Sequence, residues 1–188
     1  MINPNEVNSL IRLLDDPDSE IYEHVHAKLL SYGVEAISFL ESQGFVQYEI
    51  SAFCRGGLKS IHNTGYWTGR PFFGLGPSAF SYFANKRFRN VSYLHRYCRT
   101  LSEGLSPVDF EEEESPPARR RELLAIALRM REGVDLAAFV ARLGPLEERD
   151  QAALLKLQEE GFLLREKERI FLSQKGCLFY DTVATEII

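Results

Sequence analysis

The sequence predicts an α+β protein with a short helical segment first, strands and glycine-rich loops in the middle, and a winged-helix-like module at the end. Three observations carry this. Apolar residues recur at helical spacing up to residue 43, and the segment after it alternates apolar residues and is dense in glycine. The last eighty or so residues read as three helices followed by two short strands around a charged turn. The predicted divisions are 1–43, 44–110 and 111–188.

In the first segment, Val7, Leu10, Ile11, Leu13 and Leu14 share a helical face until Asp15-Asp16-Pro17-Asp18 interrupts them. Asp18 or Ser19 is placed to cap a second helix whose face carries Ile21, Tyr22, Val25, Leu29 and Leu30, and Gly33 ends it. Val34, Ile37, Phe39 and Leu40 mark a third helix. Short antiparallel helices joined by an Asp-Pro turn resemble a HEAT-like repeat. Leu13-Leu14-Asp15-Asp16-Pro17-Asp18, with Glu20 and Tyr22, also resembles the start of bacterial transglutaminase-like proteins.

The middle opens on Gly44 to Phe53, where Val46, Tyr48 and Ile50 alternate as in a strand. Six glycines between 56 and 76 then predict irregular backbone around a site, with His62 to Trp67 inside a turn-rich stretch. Phe80 to Phe83 predicts a strand, and a helix follows from Val91. Glu111 to Glu114 reads as a charged linker. Pro116-Pro117 suits a first helical turn, so a helix is expected over 118–131. Asp135 caps the next helix, residues 146–160 form another, and a final helix starts after Ser173.

Charge is uneven along the chain. Residues 1–43 are net −6, residues 44–105 net +6 and residues 106–188 net −5, and the middle holds 13 of the 22 aromatic residues. The basic, aromatic centre is therefore where a ligand is expected. The acidic C-terminal segment is the wrong sign for nucleic acid, so none is expected as a partner. No apolar run is long enough to cross a bilayer, and no secretory signal opens the sequence, so a cytoplasmic location is expected.

Cys54, Cys98 and Cys177 are scattered, without the CxxC or CxxxCxxC spacing that zinc or an iron–sulfur cluster requires. His24 and His26 are two apart on a helix and do not share a face.

Three motifs then occur in order: Tyr48-Glu49-Ile50-Ser51, His62-Asn63-Thr64-Gly65-Tyr66-Trp67 and Gly74-Leu75-Gly76-Pro77-Ser78-Ala79-Phe80-Ser81. Together with Arg89-Asn90-Val91, Glu122-Leu123-Leu124 and Leu172-Ser173-Gln174-Lys175-Gly176, residues 44–188 resemble the C-terminal part of the heme chaperone family that is similar to oxygen-independent coproporphyrinogen III oxidase. That resemblance implies strands derived from a partial (βα) barrel, followed by the family's C-terminal domain. It implies heme as a cofactor and a heme-accepting protein, or a second copy of the chain, as partner. The family's iron–sulfur cluster and S-adenosylmethionine are not expected here, nor is radical chemistry by this chain alone.

The resemblance points to His62 as axial ligand of heme iron, with Asn63, Tyr66 and Trp67 around it. Arg55, Lys59 and Arg70 are candidates for the propionates. The residues alone leave a second reading open, in which His62 and Asn63 hold a turn while Tyr66 and Trp67 sit in the core. Gly74 and Gly76 bring backbone amides close to a ligand, or simply make a tight turn. Glu49 binds a ligand, or pairs with Arg55 or Lys59. Phe80 stands where many family members have histidine, which removes a second imidazole. The functional alternative is a non-catalytic helical and winged-helix scaffold whose motifs are vestigial.

Overall fold

Side-chain caps set where the first helices begin. The computed structural model describes residues 3–13, 18–33 and 35–188. Helix α1 (Pro4–Arg12) starts where Asn3 accepts the Asn5 amide at 3.0 Å, and α2 (Ser19–Ser31) where Asp18 accepts that of Glu20 at 2.9 Å. Val7 and Val25 are fully buried, as their helical spacing requires. The Asp-Pro turn expected at 15–17, and Val34, lie outside the described residues.

Helix α3 (Glu35–Ser42) leads into β1 (Phe45–Glu49) and β2 (Ala52–Arg55). The predicted single strand is thus an antiparallel hairpin, Phe45 opposite Arg55 and Val46 opposite Cys54, with a bulge before Glu49. The Glu49 carboxylate accepts the Ser51 amide at 3.0 Å, which stabilises the turn at Ile50 and Ser51. These elements belong to the first of two compact units, Met1–Lys59 and Ser60–Ile188.

The second unit begins with α4 (Ile61–Trp67), followed by β3 (Phe80–Phe83), β4 (Lys86–Asn90), α5 (Leu94–Ser102) and β5 (Val108–Glu113). The three strands form an antiparallel sheet in the order β3-β4-β5. The acidic run expected to be a linker is therefore mostly strand. Its reason lies across the ladder, where Lys86 faces Glu113 and Arg87 faces Glu112. Lys86 Nζ lies 2.6 Å from Glu111, a hydrogen bond that holds its amine above the ordinary lysine range. Arg87 pairs with Glu122, and Arg89 reaches Asp109 at 3.2 Å between the rings of Phe80 and Phe110. The basic strand is thereby neutralised by the neighbouring strand and by Glu122.

The remaining elements are α6 (Pro116–Ala127), β6 (Val134–Asp135), α7 (Leu136–Leu143), α8 (Glu148–Glu159), β7 (Leu163–Glu166), β8 (Arg169–Leu172), α9 (Gln174–Leu178) and α10 (Tyr180–Ile187). Ser115, Asp135 and Ser173 cap α6, α7 and α9 through their side-chain oxygens. The sheet runs β6-β8-β7, and α10 lies against α6 and α8. Leu124, Leu128, Leu157, Leu163, Ile170 and Val183 are fully buried and form the core. The single expected final helix is two, broken where Phe179 leaves helical geometry (φ −117°, ψ 40°). Among the described residues no helix is long and apolar enough to cross a membrane.

Candidate functional site

The element carrying His62 is a helix, not a turn. Ser60 Oγ accepts the Asn63 amide at 3.3 Å and starts α4, despite poor helix formers at Asn63, Thr64 and Gly65. Helical geometry brings His62 and Tyr66, four residues apart, onto one face. Tyr66 Oη is 2.8 Å from His62 Nε2, with the rings 4.7 Å apart and edge-on. His62 is exposed, as is Asn63. Gly65 is buried, and a Cβ there would lie 2.5 Å from Arg70 Nη2. Arg70 folds over the glycine and donates to the Ile61 carbonyl at 3.2 Å, closing the helix from outside.

Tyr66 and Trp67 line the same cleft but differ in their other contacts. Tyr66 packs edge-on to Phe72 at 4.6 Å and lines a cleft of about 420 Å³ with Phe72, Phe80, Tyr82, Leu123 and Ile126. Trp67 has the Arg129 guanidinium stacked over it at 4.2 Å, and the same guanidinium lies 5.0 Å from the Tyr180 ring. One Trp67 face is thus already covered, which favours packing over stacking on a ligand. Burial pushes the Tyr180 phenol above its ordinary pKa, and the phenol donates to the Ala125 carbonyl at 2.8 Å.

The glycine loop is held from within. The Gly74 amide donates to Ser81 Oγ at 2.9 Å and the Gly76 amide to Tyr97 Oη at 3.1 Å. Asn90 Nδ2 donates to the carbonyls of both glycines, at 3.2 and 3.0 Å. Ser81 and Asn90 are 2% and 7% exposed. A Cβ on Gly74 would collide with the Phe80 carbonyl. The geometry favours the tight turn over an amide cradle, because both amides are engaged. Replacing Asn90 with alanine strands two loop carbonyls and is expected to cost about 2–3 kcal/mol, measured by urea denaturation. A loss within a few tenths of a kcal/mol would mean that solvent satisfies the loop.

Glu49 and Arg55 belong to the first unit, whereas His62, Asn63, Tyr66, Trp67, Gly74 and Gly76 belong to the second. Arg55 lies over the Phe45 ring at 5.5 Å. The three cysteines are free, and no group of three His, Cys, Asp or Glu side chains converges among the described residues. Sequence reasoning missed the cleft residues Phe72, Tyr82, Leu123 and Ile126. They come from the loop after α4, from β3 and from α6, and no local spacing links them.

The module from α6 onward, with its helices around a small sheet, defines a class. Residues 115–179 match the HemN C-terminal domain family, so the C-terminal region is HemW/HemN-like. Two relatives are named heme chaperone HemW. The one from Mycobacterium tuberculosis is 32% identical over 174 residues, covering 93% of this chain and 40% of the relative. The one from Bacillus subtilis is 27% identical, covering 89% and 42%. A mitochondrial radical S-adenosyl methionine domain-containing protein 1 from Dictyostelium discoideum is 30% identical, covering 79% and 39%. The chain thus spans about two-fifths of the length of these relatives. The fold is that of Escherichia coli coproporphyrinogen III oxidase (HemN), described as a radical SAM enzyme, with a TM-score of 0.65, 16% identity, and coverage of 91% of this chain and 42% of that one. A match over 93% of the chain necessarily reaches into the first 43 residues. At least part of that segment therefore belongs to the matched stretch.

Proposed function

We propose that this chain is a heme-binding module of the heme chaperone type, with His62 as the axial ligand and no radical chemistry of its own. The observation carrying it is an exposed imidazole held by Tyr66, a residue that also lines an aromatic cleft. The donor set fits heme, since the porphyrin supplies four nitrogens and one imidazole suffices as axial ligand. Bound heme would supply reversible axial coordination at iron. Tyr66 orients the imidazole, and Phe72 and Phe80 offer apolar surface to a ring. The names of the relatives support the reading.

The finer parts of this reading rest on sequence and element order. The scattered cysteines support the absence of a cluster in this chain. We read residues 1–43, 44–110 and 111–188 as its divisions. The succession α6-β6-α7-α8-β7-β8 supports a winged-helix-like end, used for packing rather than for nucleic acid because its charge is acidic. A heme-accepting protein, or a second copy of the chain, is the partner, and the setting is the cytoplasm.

Heme titrated into the purified protein is expected to give a shifted Soret band. His62→Ala should abolish the shift, and Tyr66→Phe should keep it, because it frees the imidazole without removing it. A shift indifferent to His62→Ala overturns the ligand. No shift at all favours a scaffold with vestigial motifs.

A further inference from the structure

A second cleft, of about 440 Å³, adjoins the aromatic one and shares Gly69, Tyr82 and Leu123 with it. Its chemistry is different. Arg119, Arg120 and Arg142 line it, and no acidic residue does, in a chain whose net charge is −5. Arg119 Nε donates to Tyr82 Oη at 2.9 Å, which fixes the guanidinium while leaving its two terminal nitrogens without an ion-pair partner among the described residues. Arg142 has none either. Arg120 is 6% exposed and already paired, with Glu147 at 3.3 Å and Asp150 at 3.8 Å, so the uncompensated charges are those of Arg119 and Arg142.

Guanidinium groups stay charged at any physiological pH, and an uncompensated charge in a cleft is unfavourable unless an anion meets it. A planar fork of N–H donors suits a carboxylate in particular. Next door Tyr66, Trp67, Phe72, Phe80 and Ile126 offer a surface that suits a flat apolar ring, beside Arg70 and the Arg87–Glu122 pair.

We propose that the two clefts form one amphiphilic site, in which a porphyrin ring lies on the aromatic side and its propionate carboxylates bind Arg119 and Arg142. The identity of the ring rests on the heme reading above, whereas the carboxylate specificity rests on the arginines. Arg119 is the fixed donor, being anchored by Tyr82. Arg142, exposed at the end of α7, is the mobile one that closes on the second carboxylate. Neither cleft is lined by His62, so a metal-free porphyrin reads the carboxylate contacts separately from the axial ligand.

The test uses metal-free protoporphyrin IX, followed by quenching of Trp67 fluorescence. It is compared with the dimethyl ester of the same porphyrin in the same detergent. The diacid is expected to bind at least about tenfold more tightly than the diester, and Arg142→Ala to weaken the diacid about tenfold without affecting the diester. Arg119→Ala, checked for fold by circular dichroism, should act in the same direction. Equal affinity for diacid and diester, indifference to Arg142→Ala, or no binding overturns the site. Heme binding that depends on His62 but not on the arginines overturns the clefts alone. Arginine-dependent binding of metal-free porphyrin, with a heme Soret band indifferent to His62, overturns the axial ligand alone.

Discussion

Gly133→Ala is expected to destabilise the Ser60–Ile188 unit by about 2–5 kcal/mol, enough to leave much of a marginally stable domain unfolded. Two causes add. Gly133 has φ +69°, a conformation costing an L-residue roughly 1–2 kcal/mol. A Cβ there would also collide with the Ile170 carbonyl and lie 2.6 Å from Phe171 Cβ. The first obstacle is backbone of β8, which cannot rotate away. Ile170 is fully buried and pairs with Val134, so yielding would disturb the small sheet at its centre strand. Gly161→Ala is the control. Its φ is +75°, but nothing lies within 4 Å, so only the conformational part, about 1–2 kcal/mol, is expected. Urea denaturation followed by Trp67 fluorescence measures both. Equal losses at the two positions would show that β8 moves aside.

Features written in neighbouring residues were legible in the sequence. Asp18, one of the two expected caps, and Asp135 cap their helices, a helix starts after Ser173 as expected, and the charged turn near Lys167 joins two strands, because a cap or a turn depends on only a few adjacent positions. What was lost depended on distant partners. Asn63-Thr64-Gly65 looks like a turn until Arg70 folds across the glycine and Ser60 caps the helix. Glu111 to Glu113 look like solvated linker until Lys86 and Arg87 lie opposite them. The candidate site divides in the same way. His62 and Tyr66 were singled out by the motif they share, but their contact was not legible, since it needs a helix where the sequence reads as a turn. Nor was the engagement of the Gly74 and Gly76 amides, since it depends on Ser81 and Tyr97. Neither was the arginine cleft, which needs the 69–85 and 116–143 stretches brought together.

The largest electrostatic effect is expected at Asp150. Its side chain is 1% exposed and lies 3.8 Å from Arg120 Nε and 3.7 Å from Arg121 Nη1, while its Oδ2 accepts the Glu147 amide at 2.9 Å. One carboxylate therefore caps α8 and faces two largely buried cations. Asp150→Ala leaves both guanidinium groups with only Glu147, which is about half exposed and so a weaker, better-solvated partner. The expected loss is about 3–5 kcal/mol, typical of breaking a buried pair from one side, with part of it coming from the lost cap. Asp150→Asn keeps an oxygen for the Glu147 amide and removes only the charge, so it should lose less, and the difference between the two variants measures the cap. A loss below about 1 kcal/mol for Asp150→Ala would mean that Glu147 and water compensate the arginines. The same change bears on the arginine cleft. Arg120 lines it, and Asp150 draws its charge away from any ligand carboxylate. In Asp150→Asn that charge is released toward the cleft, so affinity for protoporphyrin IX should rise several-fold while stability falls. Opposite movement of stability and affinity in one variant is what separates a ligand site from a purely structural cluster, in which both would fall together.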